Sequence, residues 1–337
     1  MGNTHAENVP SLDLAFTCNI IMAARKATQK VLVFGTVVGG ALAAYIYMRR
    51  KPKFIFETVG PSDPKKKVET LMAVGGLDPN SFRSITLTNI RNVNHNTKFF
   101  TFSFDDPKSL LNMKIASCTM LKTNIDGKDV VRPYTPTTRP NTQGYLEFLI
   151  KYYPQGIMSK YIHNMKKGDK IEIKGPIPKY DYHANKFQNL ALIAGGTGLT
   201  PMIQMIEEVL FNSSDKTKIT FLYANSSFDD ILLKDDLDKL AQKYPDQFKC
   251  YYTTDKFANK DQKKSWKGET GHITANMLKK LLPMPSKPDD ESLLVMVCGP
   301  PGFMKLISGE KTPDYKQGEL SGLLKQLGFT EKNVFKF

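Results

Sequence analysis

The chain reads as three textures of hydrophobic and polar positions. Residues 31–48, VLVFGTVVGGALAAYIYM, run without a charge, and as a helix they would extend about 27 Å. From there to about residue 185, short segments alternate apolar with polar: 84–90 (SITLTNI), 98–104 (KFFTFSF), 145–153 (YLEFLIKYY) and 170–174 (KIEIK). Turn residues separate them, at Asp126-Gly127, 141–144 and Gly168-Asp169. This pattern predicts an antiparallel barrel or sandwich. Beyond residue 187 the apolar runs lose their alternation, at 190–194, 219–224, 248–253 and 293–298. Helical spacing lies between them over 201–211 and 229–243. Strands buried on both faces and alternating with helices predict a doubly wound parallel sheet.

Basic flanks sharpen the reading of the first texture. Arg25, Lys26 and Lys30 precede residues 31–48, and Arg49, Arg50, Lys51 and Lys53 follow. With Gly39-Gly40 inside and Tyr45 and Tyr47 near its end, the segment favours a single transmembrane helix over a buried helix or a cleaved secretory signal. Residues 22–53 contain no acid, a texture similar to mitochondrial addressing, while Glu7 and Asp13 upstream make Met22 an alternative start. The expected organisation is an anchor over 1–53, a linker over 54–79, a barrel domain over 80–185 and an α/β domain over 186–337.

At 337 residues the chain exceeds one ordinary core, and 41% hydrophobic residues exclude wholesale disorder. Cys18, Cys118, Cys250 and Cys298 form no C-x-x-C pair and the five histidines are scattered, so no local metal motif or dense disulfide framework is visible. Of the net +14, residues 61–185 carry +8, with 19 basic against 11 acidic side chains. No nucleic-acid motif accompanies that charge, and a basic face meeting an acidic protein explains it equally well. Lys260 to Lys267, around Trp266, reads as a solvated loop.

Three motifs carry candidate chemistry. Arg132-Pro133-Tyr134-Thr135 offers a guanidinium for phosphate, an aromatic face and a hydroxyl, although a strand with a surface Arg and a packed Tyr reads the same way. AGGTGLTPM, from Ala194, follows an apolar strand and opens a helix. Gly195, Gly196 and Gly198 there allow close approach to a phosphate, with Pro201 standing where a strict fingerprint has its third glycine. VMVCGPPGFM, 295–304, runs from a buried strand into a Gly-Pro turn and places Cys298 at a sheet edge where ligands bind or, equally, where a small core residue fits.

In this order, with Gly156-Ile157-Met158-Ser159 between the first two, the motifs resemble the ferredoxin reductase superfamily over about residues 80–337. The resemblance is greatest to the NADH–cytochrome b5 reductase family, and the C-terminal stretch is similar to its fungal mitochondrial form. The resemblance implies FAD and NADH as cofactors. It implies that Arg132 holds the FAD pyrophosphate, that Tyr134 (after Pro133) lies on the flavin ring and that Thr135 bonds near its reactive edge. Leu149, Lys151 and Tyr153 line the FAD, with Lys151 also toward the nicotinamide, and Gly156, Met158 and Ser159 face phosphate. Thr200 touches FAD, whereas Gly196, Thr197 and Gly198 face NADH. Cys298, Gly299, Pro300 and Met304 shape the nicotinamide edge, and Asp255 lies near the adenosine ribose, favouring NADH over NADPH. Thr135, Lys151 and Cys298 are the residues it implies for catalysis.

The implied activity is electron transfer from NADH through FAD to cytochrome b5 or a similar acidic haem protein. The expected molecule is a monomer bound to no nucleic acid. Its expected place is the mitochondrial outer membrane, with the intermembrane space after processing or the endoplasmic reticulum as alternatives. A same-fold reductase serving another carrier, and a basic membrane-tethered binding module, are the competing expectations.

Overall fold

A computed structural model of the chain describes residues 76–337. They belong to one compact unit. The expected span at 31–48 lies outside the described residues, and among those described no helix is long and apolar enough to cross a membrane.

The alternating half forms a six-stranded antiparallel sheet from β1 (Arg83–Asn92), β2 (Thr97–Ser103), β3 (Ser117–Ile125), β4 (Lys128–Tyr134), β5 (Tyr145–Lys151) and β6 (Lys170–Pro178). Their order is β4-β3-β6-β1-β2-β5. Period-two alternation sends Ile85, Leu87, Phe100, Phe102, Leu146, Phe148 and Ile150 into one shared core. The β3–β4 turn needs φ above zero at both central residues, and Asp126 (+51°) and Gly127 (+78°) supply it. β4 and β5 are the edges, yet the chain leaving β4 crosses to β5, where the Thr137 N–H donates to the Glu147 carbonyl at 2.8 Å. The sheet therefore curls, as the barrel expectation requires. Helix α1 (Ile157–Asn164) follows β5 and buries Met158 and Ile162 in the same core.

The second half is a parallel sheet of β7 (Asn189–Gly195), β8 (Lys218–Ser227), β9 (Phe248–Lys256), β10 (Glu269–Thr270), β11 (Leu293–Cys298) and β12 (Val334–Lys336). The spatial order β10-β9-β8-β7-β11-β12 reverses direction between β7 and β11, which is the switch point where open α/β sheets bind ligands. Leu190 to Ala194 are wholly buried, because a strand in the middle of this sheet is covered on both faces. Connecting helices are α2 (Leu199–Phe211), α3 (Lys234–Lys243), α4 (Lys260–Ser265), α5 (Ala275–Leu281), α6 (Pro301–Ile307) and α7 (Gly322–Gln326).

Two expectations need correction. The Lys-rich segment read as a loop contains α4, capped by the Asn259 side chain accepting from the Gln262 N–H at 2.9 Å. Trp266 beyond it packs edge-on against Phe228 and Phe257, at 5.7 and 5.8 Å between ring centroids, so it is a packed residue. Asp255 lies within β9, one residue before its end at Lys256.

Helix α2 joins the two sheets. It is buried on nearly every side, and its Gln204 Nε2 donates to the Pro136 carbonyl at 2.8 Å while Oε1 accepts the Ser117 N–H at 3.3 Å. One turn later Glu207 stands 3.6 Å from the Nε of Arg139, which lies over the Phe211 ring.

Candidate active site

The edge strands β4 and β5 point their C-terminal residues at the switch point of the parallel sheet, and a cleft of about 690 Å³ opens where they meet. It brings together Pro133, Tyr134, Thr135, Leu149, Lys151, Tyr153, Ser159, Thr197, Thr200, Cys298, Gly299 and Met304. Residues 165 positions apart in the chain thus share one cavity, because both motif-bearing turns sit at strand ends.

Close packing requires one of these glycines and backbone conformation the other. A Cβ on Gly198 would lie 2.1 Å from the Cys298 carbonyl oxygen, so the turn after β7 lies directly on the end of β11. Gly196 has φ +54° with open space where a side chain would project, leaving its backbone bare to a ligand. Its carbonyl accepts the hydroxyl of the buried Tyr223 at 2.9 Å. Thr200 Oγ1 donates to the Thr197 carbonyl at 3.3 Å, closing the first turn of α2.

On the opposite wall, the Tyr134 ring meets Phe148 edge to face at 6.3 Å. Burial pushes its phenol up to about 12, so the hydroxyl stays protonated at neutral pH. Tyr153 shares a hydrogen bond with Thr197 at 3.1 Å, tying the two walls at the mouth. Ser159 Oγ donates to the Gly156 carbonyl at 3.1 Å and accepts from the Tyr153 N–H at 3.3 Å, which fixes the entry to α1. The Lys151 amine donates to Asp230 at 2.8 Å. Desolvation pushes the Cys298 thiol up to about 12, which leaves it a neutral wall rather than a nucleophile.

Seven expected residues lie outside the cleft lining. Arg132 is exposed on β4 and its guanidinium donates to the Val131 carbonyl at 2.8 Å; among the described residues no ion pair engages it, so it is available to an anion. Gly156 caps α1, and Met158 gives its side chain to the core, so only its backbone can face a phosphate. Gly196 and Gly198 have backbone alone to offer, Pro300 caps α6, and Asp255 is exposed at the end of β9.

Several lining residues escaped the sequence. Lys179, Cys118, Lys311, Tyr315 and Phe337 also face the cleft. The last three come from a C-terminal segment stapled by Lys336, which is 2% exposed and whose amine donates to the carbonyls of Glu310, Gly318 and Glu319 at 3.3, 3.2 and 2.9 Å. Burial holds that amine below the ordinary lysine range. Lys311 is lowered as well, by burial and then by the charge of Lys179. Its only sequence signal was the similarity of the tail to a family form, which names no role.

The residues fit two dinucleotides. The cleft offers aromatic and aliphatic walls for planar rings, a glycine turn with bare backbone, and, in Arg132, Lys179 and Lys311, cations without carboxylate partners among the described residues. Comparison with known proteins agrees. Residues 84–182 match an oxidoreductase FAD-binding domain, and residues 192–309 an oxidoreductase NAD-binding domain. A protein described as NADH-cytochrome b5 reductase 2 from Aspergillus terreus is 44% identical over 254 residues, 75% of this chain and 77% of that protein. Its namesake in Ajellomyces capsulatus is 38% identical over 320 residues, covering 94% and 93%. Among solved structures, the cytochrome b5 reductase domain of Ulva prolifera nitrate reductase superposes with a TM-score of 0.66 at 28% identity, over 77% of this chain and 99% of that one. These domains set aside the reading of a binding module without catalysis. The chain is an oxidoreductase with FAD- and NAD-binding domains, and it belongs to the NADH–cytochrome b5 reductase family.

Proposed function

We propose that this chain carries electrons from NADH to cytochrome b5 or a similar acidic haem protein. The observation that carries the reading is the single cleft in which Thr135 and Lys151 of the antiparallel sheet face Thr197 and Cys298 of the parallel sheet. FAD, when bound, supplies the exchange between a two-electron donor and a one-electron acceptor.

The chain's own residues orient and seal. Arg132 and the first turn of α1, beginning at Gly156, would hold the FAD phosphates; Tyr134, Leu149 and Tyr153 would flank its flavin; Thr135, Thr200 and Lys151 would bond its polar edge. Gly196, Thr197 and Gly198 receive NADH through backbone, and Cys298, Gly299, Pro300 and Met304 bound the nicotinamide with uncharged groups. This arrangement contributes by holding two rings at near-attack distance. Asp255 at the ribose end selects NADH.

An apolar span at 31–48 with basic flanks supports a single membrane anchor. The acid-free stretch 22–53 supports the mitochondrial outer membrane, and the molecule acts as a monomer there. The +8 of residues 61–185 supports steering of an acidic acceptor. Stopped-flow reduction of cytochrome b5 by the NADH-reduced chain tests this: the rate falls as ionic strength rises. A rate independent of salt contradicts the steering, and no reduction of cytochrome b5 contradicts the acceptor and favours a same-fold reductase with another carrier.

A further inference from the structure

Lys151 ends β5 on the antiparallel sheet, and its amine is paired with a residue of the other half. Asp230 closes the short turn Phe228–Asp230 after β8, and its Oδ1 accepts the Lys151 ammonium at 2.8 Å. The side chains are 20% and 13% exposed. Asp230 is itself fixed: its Oδ2 accepts the Ser227 hydroxyl at 2.7 Å, and Oδ1 also receives the Asn96 amide at 3.5 Å. Asn94, in the β1–β2 turn, donates to the Asp229 carbonyl at 2.9 Å. The loop after β8 is thereby stitched to the first half at three points.

Burial alone would raise the Asp230 carboxyl, but these donors outweigh it and hold the group below the ordinary carboxylate range. The aspartate therefore stays charged at neutral pH. A lysine stem has four rotatable bonds, and a free ammonium samples many positions. It also carries three donors. The structure commits one to Asp230, which leaves two for a ligand in the cleft that Lys151 lines.

We propose that Asp230 is a positioning residue for the dinucleotide site: it holds the Lys151 ammonium at the cleft wall and thereby sets the affinity for NADH. The inference rests on the reading of Lys151 as a nicotinamide-side contact. It makes a prediction opposite to simple charge neutralisation. Were Asp230 only a counter-ion, its removal would leave a bare cation and tighten an anionic dinucleotide. As a positioning group, its removal weakens it.

The test uses the full FAD-loaded chain carrying Asp230→Ala, Asp230→Asn, Lys151→Ala, or both alanines. Retention of bound FAD reports folding. NAD⁺ affinity is read from the perturbation of flavin absorbance, alongside KM and kcat with NADH. Asp230→Ala is expected to weaken NAD⁺ and raise KM by about tenfold with a smaller change in kcat, and Asp230→Asn, which keeps an acceptor oxygen, recovers part of the loss. Adding Asp230→Ala to Lys151→Ala costs less than about twofold further, because the aspartate acts through the lysine. An equal loss in both backgrounds, or an unchanged or tighter NAD⁺ in Asp230→Ala alone, overturns the proposal. Lys151→Ala without effect on NAD⁺ or KM overturns the reading of Lys151 beneath it as well.

Discussion

Gly198 and Cys298 meet backbone to backbone: a Cβ on the glycine would stand 2.1 Å from the cysteine's carbonyl oxygen. Neither atom can rotate away, so the contact locks the turn after β7 onto the end of β11 at the switch point of the parallel sheet. Gly198→Ala is expected to cost about 1–3 kcal/mol through overpacking and to lower NAD⁺ affinity while FAD stays bound. Thermal unfolding with an NAD⁺ titration checks this, and a variant matching the parent in both contradicts it.

Burial pushes the Glu207 carboxyl from 4.5 up to about 7, with Arg139 offsetting only part of that penalty. Among the described residues its Oε1 has no hydrogen-bond partner, and neither has Nη2 of Arg139. A raised acid holds its proton in the folded chain where the unfolded chain has lost it. Its stabilising contribution is therefore complete below pH 4.5 and is lost as pH rises from 4.5 to about 7, by up to about 3 kcal/mol. Melting of the parent and Glu207→Gln across this range should show the parent losing stability with pH more steeply. Parallel curves would remove Glu207 as the source.

Asp255 is exposed at the end of β9, and under the proposed function its carboxylate would bond ribose hydroxyls and repel a 2′-phosphate. Asp255→Ala is expected to narrow the preference for NADH over NADPH by roughly tenfold, about 1.4 kcal/mol. Comparison of kcat/KM for the two nucleotides measures it. An unchanged ratio places the selection elsewhere.

What the sequence made legible followed from burial. Leu190 to Ala194 and residues 293–298 stand out because a central parallel strand has no polar face to interrupt it. The β3–β4 hairpin was visible only as its Asp126-Gly127 turn, since buried Ser117, Thr119 and Thr123 break the alternation that marks a half-buried strand. The motif residues were legible because a glycine turn or an Arg-Pro-Tyr-Thr run is local. Asp230 was not, because its significance is a pairing with Lys151 across 79 positions. Lys336 was hidden for a related reason: a lysine in a tail reads as solvated, and only the fold brings three carbonyls around its amine.

The central claim is that one cleft between the two sheets brings an FAD and an NADH together. Anaerobic titration of the FAD-loaded full chain with NADH tests it most directly. Stoichiometric bleaching of the visible flavin band is expected, with the colour restored when cytochrome b5 is added and its haem reduced. A flavin band unmoved by NADH, in a chain that retains FAD, would contradict it.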